Sequence, residues 1–336
     1  MAPDKYIEDK ENKVKIDAVI DGKTGELDFN TLKSGGVIKQ RQKDLFTVRL
    51  RCPGGRVPLD RLEKIAQVAK KYGGDYVHIS VRQSIEITYV NFHDFGALKK
   101  DLDAIGQEIA SCGPRVRVPT ACSGCEYNPN GVTDTQKMAK MVNDTFFGRE
   151  LNHKFKISFS GCPIDCARTT EMDMGFQGAV KPVWTEDICT GCRLCSFTCL
   201  EGAIEADAET GHPIYKKEKC LYCGDCIRTC PTDAWKSEIT GWMVRIGGKH
   251  GRHPVVGRKI AEFVSDEKLA PIIDRTLEWY KKAGKGKGRK RICTLLLQNG
   301  AWEDFISFMK PVLGKKAVES PPSPTPVEIH FEKNKK

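Results

Sequence analysis

Cysteines carry the most chemistry in this sequence, and two runs of them share one spacing. Residues 189–199 read Cys189-Thr-Gly-Cys192-Arg-Leu-Cys195-Ser-Phe-Thr-Cys199, and residues 220–231 read Cys220-Leu-Tyr-Cys223-Gly-Asp-Cys226-Ile-Arg-Thr-Cys230-Pro231. Both follow C-x2-C-x2-C-x3-C. Three closely spaced thiolates wrap three irons of a [4Fe–4S] cube, and in this pattern the fourth cysteine of each run ligates the other cluster. The spacing therefore assigns Cys189, Cys192, Cys195 and Cys230 to one cluster, and Cys220, Cys223, Cys226 and Cys199 to a second. Tetrahedral zinc also uses C-x2-C pairs, but two zinc sites do not call for the repeated third-to-fourth spacing. Fifteen cysteines without an export signal point to metal ligation rather than a disulfide framework.

Four further cysteines lie upstream, Cys122 and Cys125 in one segment and Cys162 and Cys166 in another. Two pairs about 40 residues apart suit a third [4Fe–4S] cluster, with zinc or buried free thiols as the alternatives. Cys162-x3-Cys166 fits one helical turn entered through Gly161-Cys162-Pro163. Cys52, Cys112 and Cys293 have no partner pattern and read as buried thiols. Just before Cys162, Lys154-Phe155-Lys156-Ile157-Ser158-Phe159 alternates with period two, placing both lysines on one face. Arg49 and Arg51 share the polar face of their own strand, and Arg82 lies at a strand end. Each alone reads as a solvated cation. Together, beside a cluster and with no matched acidic residues, they read as an anion site.

The elements that must position these groups are legible as periodicity. Leu45–Arg51 alternates as a strand. Pro58 opens a helix to Lys71 that buries Leu59, Leu62, Ile65, Ala66 and Ala69. Tyr76–Arg82 and Ser84–Val90 read as strands, Asp94–Ala110 as a helix, and Lys154–Ser160 as a strand. Ile260–Val264, Leu269–Tyr280 and Trp302–Met309 look helical, and Ile292–Leu297 looks like a strand. The order suggests an α+β layer, with the cysteine block inserted into it. The formal charge of +10 fits nucleic acid, a membrane surface or a cleft for small anions. The seven Lys and Arg residues of Lys281–Arg291 and the Lys-rich terminus read as solvated. No apolar run reaches the roughly 18 residues of a membrane span, and the charged N-terminus offers no export segment. The expectation is a cytoplasmic protein without a membrane span.

The sequence from about Leu45 to Gly300 resembles the siroheme-dependent sulfite and nitrite reductases. Within them it is most like the catalytic subunit of the anaerobic and dissimilatory sulfite reductases, which carry an inserted ferredoxin domain. The likeness rests on Phe46-Thr-Val-Arg49-Leu-Arg51-Cys-Pro-Gly-Gly55, Val81-Arg82-Gln83, Lys154-Phe-Lys156, Ser160-Gly-Cys-Pro-Ile-Asp-Cys166-Ala-Arg168 and Arg245-Ile-Gly-Gly-Lys249. It implies an α+β sulfite-reductase-type siroheme fold with an inserted 2[4Fe–4S] ferredoxin-like domain. The implied boundaries are an arm at 1–40, a ferredoxin-like half-domain at 41–110, a siroheme and [4Fe–4S] domain at 111–184 and 239–318, the insertion at 185–238, and a flexible tail at 319–336.

By the same resemblance Cys166 bridges the third cluster to the siroheme iron, and Arg49, Arg82, Lys154 and Lys156 hold the anionic substrate. Gly247, Gly248 and Lys249, with Arg51, Gln83, Arg117 and Arg168, would hold the siroheme carboxylates. One departure stands out. The family spaces its first two cluster cysteines as C-x5-C, which from Cys122 falls on Asn128, so either Cys125 substitutes through a reshaped loop or the cluster has a non-thiolate ligand or an open iron. The implied reaction is six-electron reduction of sulfite to sulfide, with electrons entering through the ferredoxin clusters. Reduction of nitrite to ammonia, or an electron-transfer or assembly subunit with a degenerate siroheme site, are the alternatives. No flavin or nicotinamide signature is evident, so a protein donor or partner subunit is expected, in a homodimer or hetero-complex. The motifs ask for no nucleic acid.

Overall fold

Phe46, Val48 and Leu50 are buried while Thr47, Arg49 and Arg51 alternate with them at partial exposure, as the period-two pattern predicts. The computed structural model describes residues 35–318 and the short pairs at 16–17, 24–25 and 32–33. Ile16–Asp17 pairs antiparallel with Thr24–Gly25. Most of the expected arm, and the tail from Glu319, lie outside the described residues.

The described chain divides into two units. The first takes residues up to 120, Ala139–Lys156 and Gly286–Arg289. Its antiparallel sheet runs Val37–Lys39, Leu45–Arg49, Ile85–Asn91, Val77–Ile79 in spatial order. Helices Leu59–Tyr72 and Phe95–Ala104 share the sheet's apolar core. The first helix forms where expected, but its buried stripe is Ile65, Val68, Ala69 and Tyr72, while Leu59, Leu62 and Ala66 are exposed. That set follows i, i+3, i+4, i+7 through Val68 and Tyr72, two residues absent from the expected stripe. The second helix stops at Ala104, short of the expected Ala110, because Gly106 turns the chain at φ +67.

The second unit takes Ala121–Met138, Ile157–Lys285 and residues from 290 on. Its sheet order is Arg258–Val264, Trp235–Ile246, Met174–Trp184, Ile157–Ser160 and Thr120–Ala121, the last lying where the chain enters the unit. Two expectations fail here. Ile260–Val264 is strand, paired with Trp235–Ile246, and Ile292–Leu296 is a short helix. Both are short runs of buried apolar residues, whose periodicity cannot separate strand from helix. Leu269–Tyr280 and Trp302–Met309 lie inside the helices Asp266–Ala283 and Ala301–Leu313.

The cysteine block is an excursion between two neighbouring antiparallel strands. Trp184 ends one and faces Trp235 at the start of the other, and Thr185 N donates to Ala234 O at 2.9 Å. Because the ends meet in an existing ladder, the insertion leaves the parent sheet unbroken. Among the described residues no helix is long and apolar enough to cross a membrane.

Candidate functional site

Each cysteine run folds as a loop followed by one short helix, Leu194–Thr198 after the first and Asp225–Thr229 after the second. The loops repeat one backbone shape. Gly191 and Arg193 have φ +65 and +65, and Tyr222 and Gly224 have φ +61 and +81, so a left-handed residue flanks the second cysteine on both sides in each run. Only one of each pair is glycine. A non-glycine held left-handed costs about 1 kcal/mol or more, and it turns backbone N–H groups into a concavity suited to an anionic group. Cys195 and Cys226 are buried in one small core with Ile204 and Trp235, and Cys199 and Cys230 lie at its edge. Third and fourth cysteines of both runs thus line one small core.

Burial raises the Cys195 thiol, and pushes Cys223 up to about 11 and Cys226 to about 12. A bare thiolate is costly there, and a cation that takes its charge removes the cost. Of three buried donors beside these thiols, Trp235 Nε1 faces Cys195 and Tyr215 Oη faces Cys220, while Trp184 Nε1 has no hydrogen-bond partner among the described residues. Cluster sulfurs would supply acceptors. The donor set fits [4Fe–4S] groups held by the eight cysteines. Among the described residues no three His, Cys, Asp or Glu side chains converge on a single metal ion; a cube spreads its thiolates over separate irons and needs no such point.

The upstream set is assembled by close backbone approach. A Cβ on Gly161 would sit 2.7 Å from Gly124 Cα, and Cβ atoms on Gly131 and Gly178 would strike Gly124 and Gly161 backbone. These glycines press the Cys122 loop onto the Cys162 loop. Cys122 Sγ accepts from Gly161 N at 3.1 Å and from Gly124 N at 3.4 Å, the bonding a thiolate ligand wants. Cys162 is 4% exposed. Burial raises its thiol, and Cys122 and Cys166 act on it in the same direction. Cys125 and Cys166 are exposed. The Cys162–Cys166 segment is a pair of turns and not the expected helical turn, since Asp165 is left-handed at φ +59. Asp165 then holds the loop, its carboxylate accepting from the backbone N and hydroxyl of both Thr169 and Thr170 at 2.6–3.1 Å. Asn128 Oδ1 accepts from Asn130 N at 3.0 Å, so that side chain closes a turn.

In the first unit, one segment, Ala110–Val118, touches the proposed anion-binding residues in turn. Arg49 Nη1 donates to Cys112 Sγ at 3.2 Å, Arg117 Nη1 to Ser111 O at 3.1 Å, and Arg82 Nη2 to Val118 O at 2.5 Å. Val116 pairs with Phe155, the buried residue between Lys154 and Lys156. The expectation of no matched acids fails. Arg49 meets Glu86 at 2.6 Å because they face each other across the ladder, and Arg51 meets Glu108 at 2.6 Å as well as Asn143 Oδ1 at 2.8 Å. Strand pairing made these partners, and linear sequence did not reveal them.

Arg168 is exposed at φ +55, and Gln83 sits at φ +58 after the Tyr76–Arg82 segment, of which only Val77–Ile79 is strand. Gly247 and Gly248 lead out of Trp235–Ile246, and a Cβ on Gly248 would meet the carbonyls of Thr170 and Met172. Lys249 pairs with Val255 across a small bridge. Sequence reading missed Arg291, the last of the basic run. It is buried against Asp173 through two bonds of 2.7 Å, behind the strand that follows the Cys166 loop.

Residues 38–105 match the nitrite/sulfite reductase ferredoxin-like half domain, and residues 112–316 match the nitrite and sulphite reductase 4Fe–4S domain. The chain is 30% identical over 282 residues to the coenzyme F420-dependent sulfite reductase of Methanocaldococcus jannaschii, covering 84% of this chain and 45% of that protein. It is 26% identical over 266 residues to a subunit of the anaerobic sulfite reductase of Salmonella typhimurium, covering 74% of this chain and 78% of that one. A crystal structure of dissimilatory sulfite reductase I shares the fold at TM-score 0.65 and 19% identity, over 82% of this chain and 72% of that one. The chain belongs to the nitrite and sulfite reductase family of siroheme and iron–sulfur oxidoreductases.

Proposed function

We propose that this oxidoreductase reduces sulfite to sulfide, using electrons that enter through the ferredoxin-like insertion from a protein donor or partner subunit. The observation that carries the reading is the Ala110–Val118 segment, which gathers Arg49, Arg82 and the Lys154–Lys156 segment in one unit. Siroheme and [4Fe–4S] groups, when bound, supply a coordination site for the substrate and a store of single electrons. Cys122, Cys125, Cys162 and Cys166 would hold the catalytic cluster, with Cys166 shared with the siroheme. Gly247, Gly248, Lys249, Arg51, Gln83, Arg117 and Arg168 would serve the siroheme carboxylates.

The chain's own cations do the rest. Arg49, Arg82, Lys154 and Lys156 would neutralise the sulfite dianion and orient its oxygens. Glu86 fixes the Arg49 guanidinium, so its position is set before substrate arrives. Conversion of sulfite to hydrosulfide takes six electrons and seven protons and releases three waters. Lys154 and Lys156 are the donors best suited to pass protons from solvent, since an ammonium exchanges its proton where a guanidinium does not. Relatives named as a coenzyme F420-dependent enzyme and as a subunit support a donor outside the catalytic core and assembly into a complex.

Turnover with reduced viologen tests this. Sulfide formed from sulfite, with siroheme absorbance in the purified chain, is the expected result, and Lys154→Ala should lower kcat/KM by about 10²-fold. Faster turnover of nitrite than of sulfite would move the assignment to the family's other substrate. A pure electron-transfer subunit is the second reading, motivated by Asn128, whose side chain is spent on a turn. About eight irons per chain would favour it, and about twelve with siroheme would exclude it.

A further inference from the structure

Cys195 and Cys226 occupy equivalent places in the two runs, and two residues after them stand Phe197 and Arg228. Phe197 is 80% exposed. Arg228 instead reaches back into the parent domain. Its Nη1 donates to Cys223 O at 3.1 Å, and its Nη2 pairs with Asp225 and reaches Asn130 Oδ1 at 3.4 Å. Asn130 belongs to the loop that follows Cys122 and Cys125. A cavity of about 350 Å³ is lined by Asn130, Cys162, Cys199, Cys223 and Arg228. One guanidinium thus borders thiols of the second ferredoxin set and a thiol of the upstream set.

Gly224 makes room for it. That residue is left-handed at φ +81, and a Cβ there would strike Val180 and lie 3.3 Å from Arg228 Nη1. The first run has Arg193 at the same place, with its Nη2 on Ala208 O, inside the insertion. The two runs repeat in backbone and differ in what they touch.

We propose that Arg228 is a positioning residue that clamps the second cysteine run onto the Asn130 loop and holds one fixed positive charge beside the thiolates of both sites. The proposal rests on the ferredoxin reading of the runs and adds which of the two faces the catalytic loops. Each electron stored near Arg228 adds a negative charge, so the guanidinium favours the reduced form and raises the midpoint potential. Its carboxylate partner Asp225 acts in the opposite direction. The fork matters as well as the charge, since three separate acceptors are met at once.

The test is a redox titration of the intact, cluster-loaded chain, followed by electron paramagnetic resonance, on wild type, Arg228→Gln, Arg228→Lys and Asp225→Asn. Arg228→Gln should move one ferredoxin-type midpoint to more negative potential and leave the other in place. Arg228→Lys should keep most of the wild-type value, and Asp225→Asn should shift the same midpoint upward. Added salt should shrink these shifts, because Arg228 is partly exposed. Arg228→Gln with full iron and an unmoved midpoint overturns the proposal. So does a variant that loses iron while its remaining signals keep their potentials, which marks Arg228 as structural alone. A wild-type chain that binds no ferredoxin-type cluster overturns the proposal together with the reading beneath it.

Discussion

The cysteines from Cys189 to Cys230 lie in two short runs, whereas Cys122 and Cys162 stand 40 residues apart and are joined only by folding. In the insertion, each run builds its own left-handed loop and helix, and two runs close on one small core. Upstream, the site depends on adjacent strands, on glycines that allow the two loops to touch, on Asp165, and on Thr133, whose carbonyl accepts from Cys125 N at 3.0 Å. The first arrangement is local in sequence and sits between two strands whose ends already pair. The second is part of the parent sheet and cannot be separated from it. Damage to one region should therefore leave the other standing.

The largest effect should come from Cys166→Ser. Sulfite turnover and siroheme absorbance should fall to background, while the ferredoxin-type signals persist at wild-type potential. Loss of those signals too would mean that the insertion is not autonomous. The next effect bears on the crosswise ligation that the spacing of the two runs predicts. Cys230→Ser and Cys199→Ser should each remove one cluster, about four irons per chain, and the cluster lost in Cys230→Ser should be the one whose other ligands are Cys189, Cys192 and Cys195. Double variants test the pairing. Cys230→Ser with Cys192→Ser should cost no more iron than either alone, while Cys230→Ser with Cys223→Ser should cost both clusters.

The same contrast decides what could be read from sequence. The insertion was legible because its ligands and their spacing are one local pattern. So were the strand at Leu45–Arg49 and the helix after Pro58, although the helix's buried stripe needed Val68 and Tyr72 to be complete. The upstream loops were legible only as four cysteines. Gly124, Gly131, Gly161 and Gly178 are scattered along the chain, and nothing in their neighbours announces that a side chain there would collide with a second loop. Glu86 and Glu108 were invisible as partners for Arg49 and Arg51, since cross-strand register is a product of pairing. Arg291 was hidden inside a basic run whose other members are solvated, yet Asp173, fully buried, makes it a structural ion.

Arg291→Gln should separate the regions thermodynamically. It leaves the Asp173 carboxylate without its cation, and breaking a buried pair costs about 3–5 kcal/mol. Thermal unfolding of the parent domain should drop by roughly 10 °C, with ferredoxin-type signals lost at a higher temperature than siroheme absorbance. Simultaneous loss would show the two regions unfolding as one.

The smallest effect, and the sharpest, is expected at Asp165. Its carboxylate satisfies the N–H and hydroxyl groups of Thr169 and Thr170 and so sets the turn that carries Cys166. Asparagine keeps one acceptor oxygen, but turns an amide N–H₂ toward the Thr170 donors. The loss should be about 1–3 kcal/mol, a shift of a few degrees in Tm, with iron content unchanged. The siroheme absorption band should broaden or move as Cys166 shifts, while both ferredoxin-type midpoints stay fixed. A midpoint that moves with Asp165→Asn would mean that the Cys166 turn and the second cysteine run are coupled through more than Arg228, and the local character of the insertion would have to be given up.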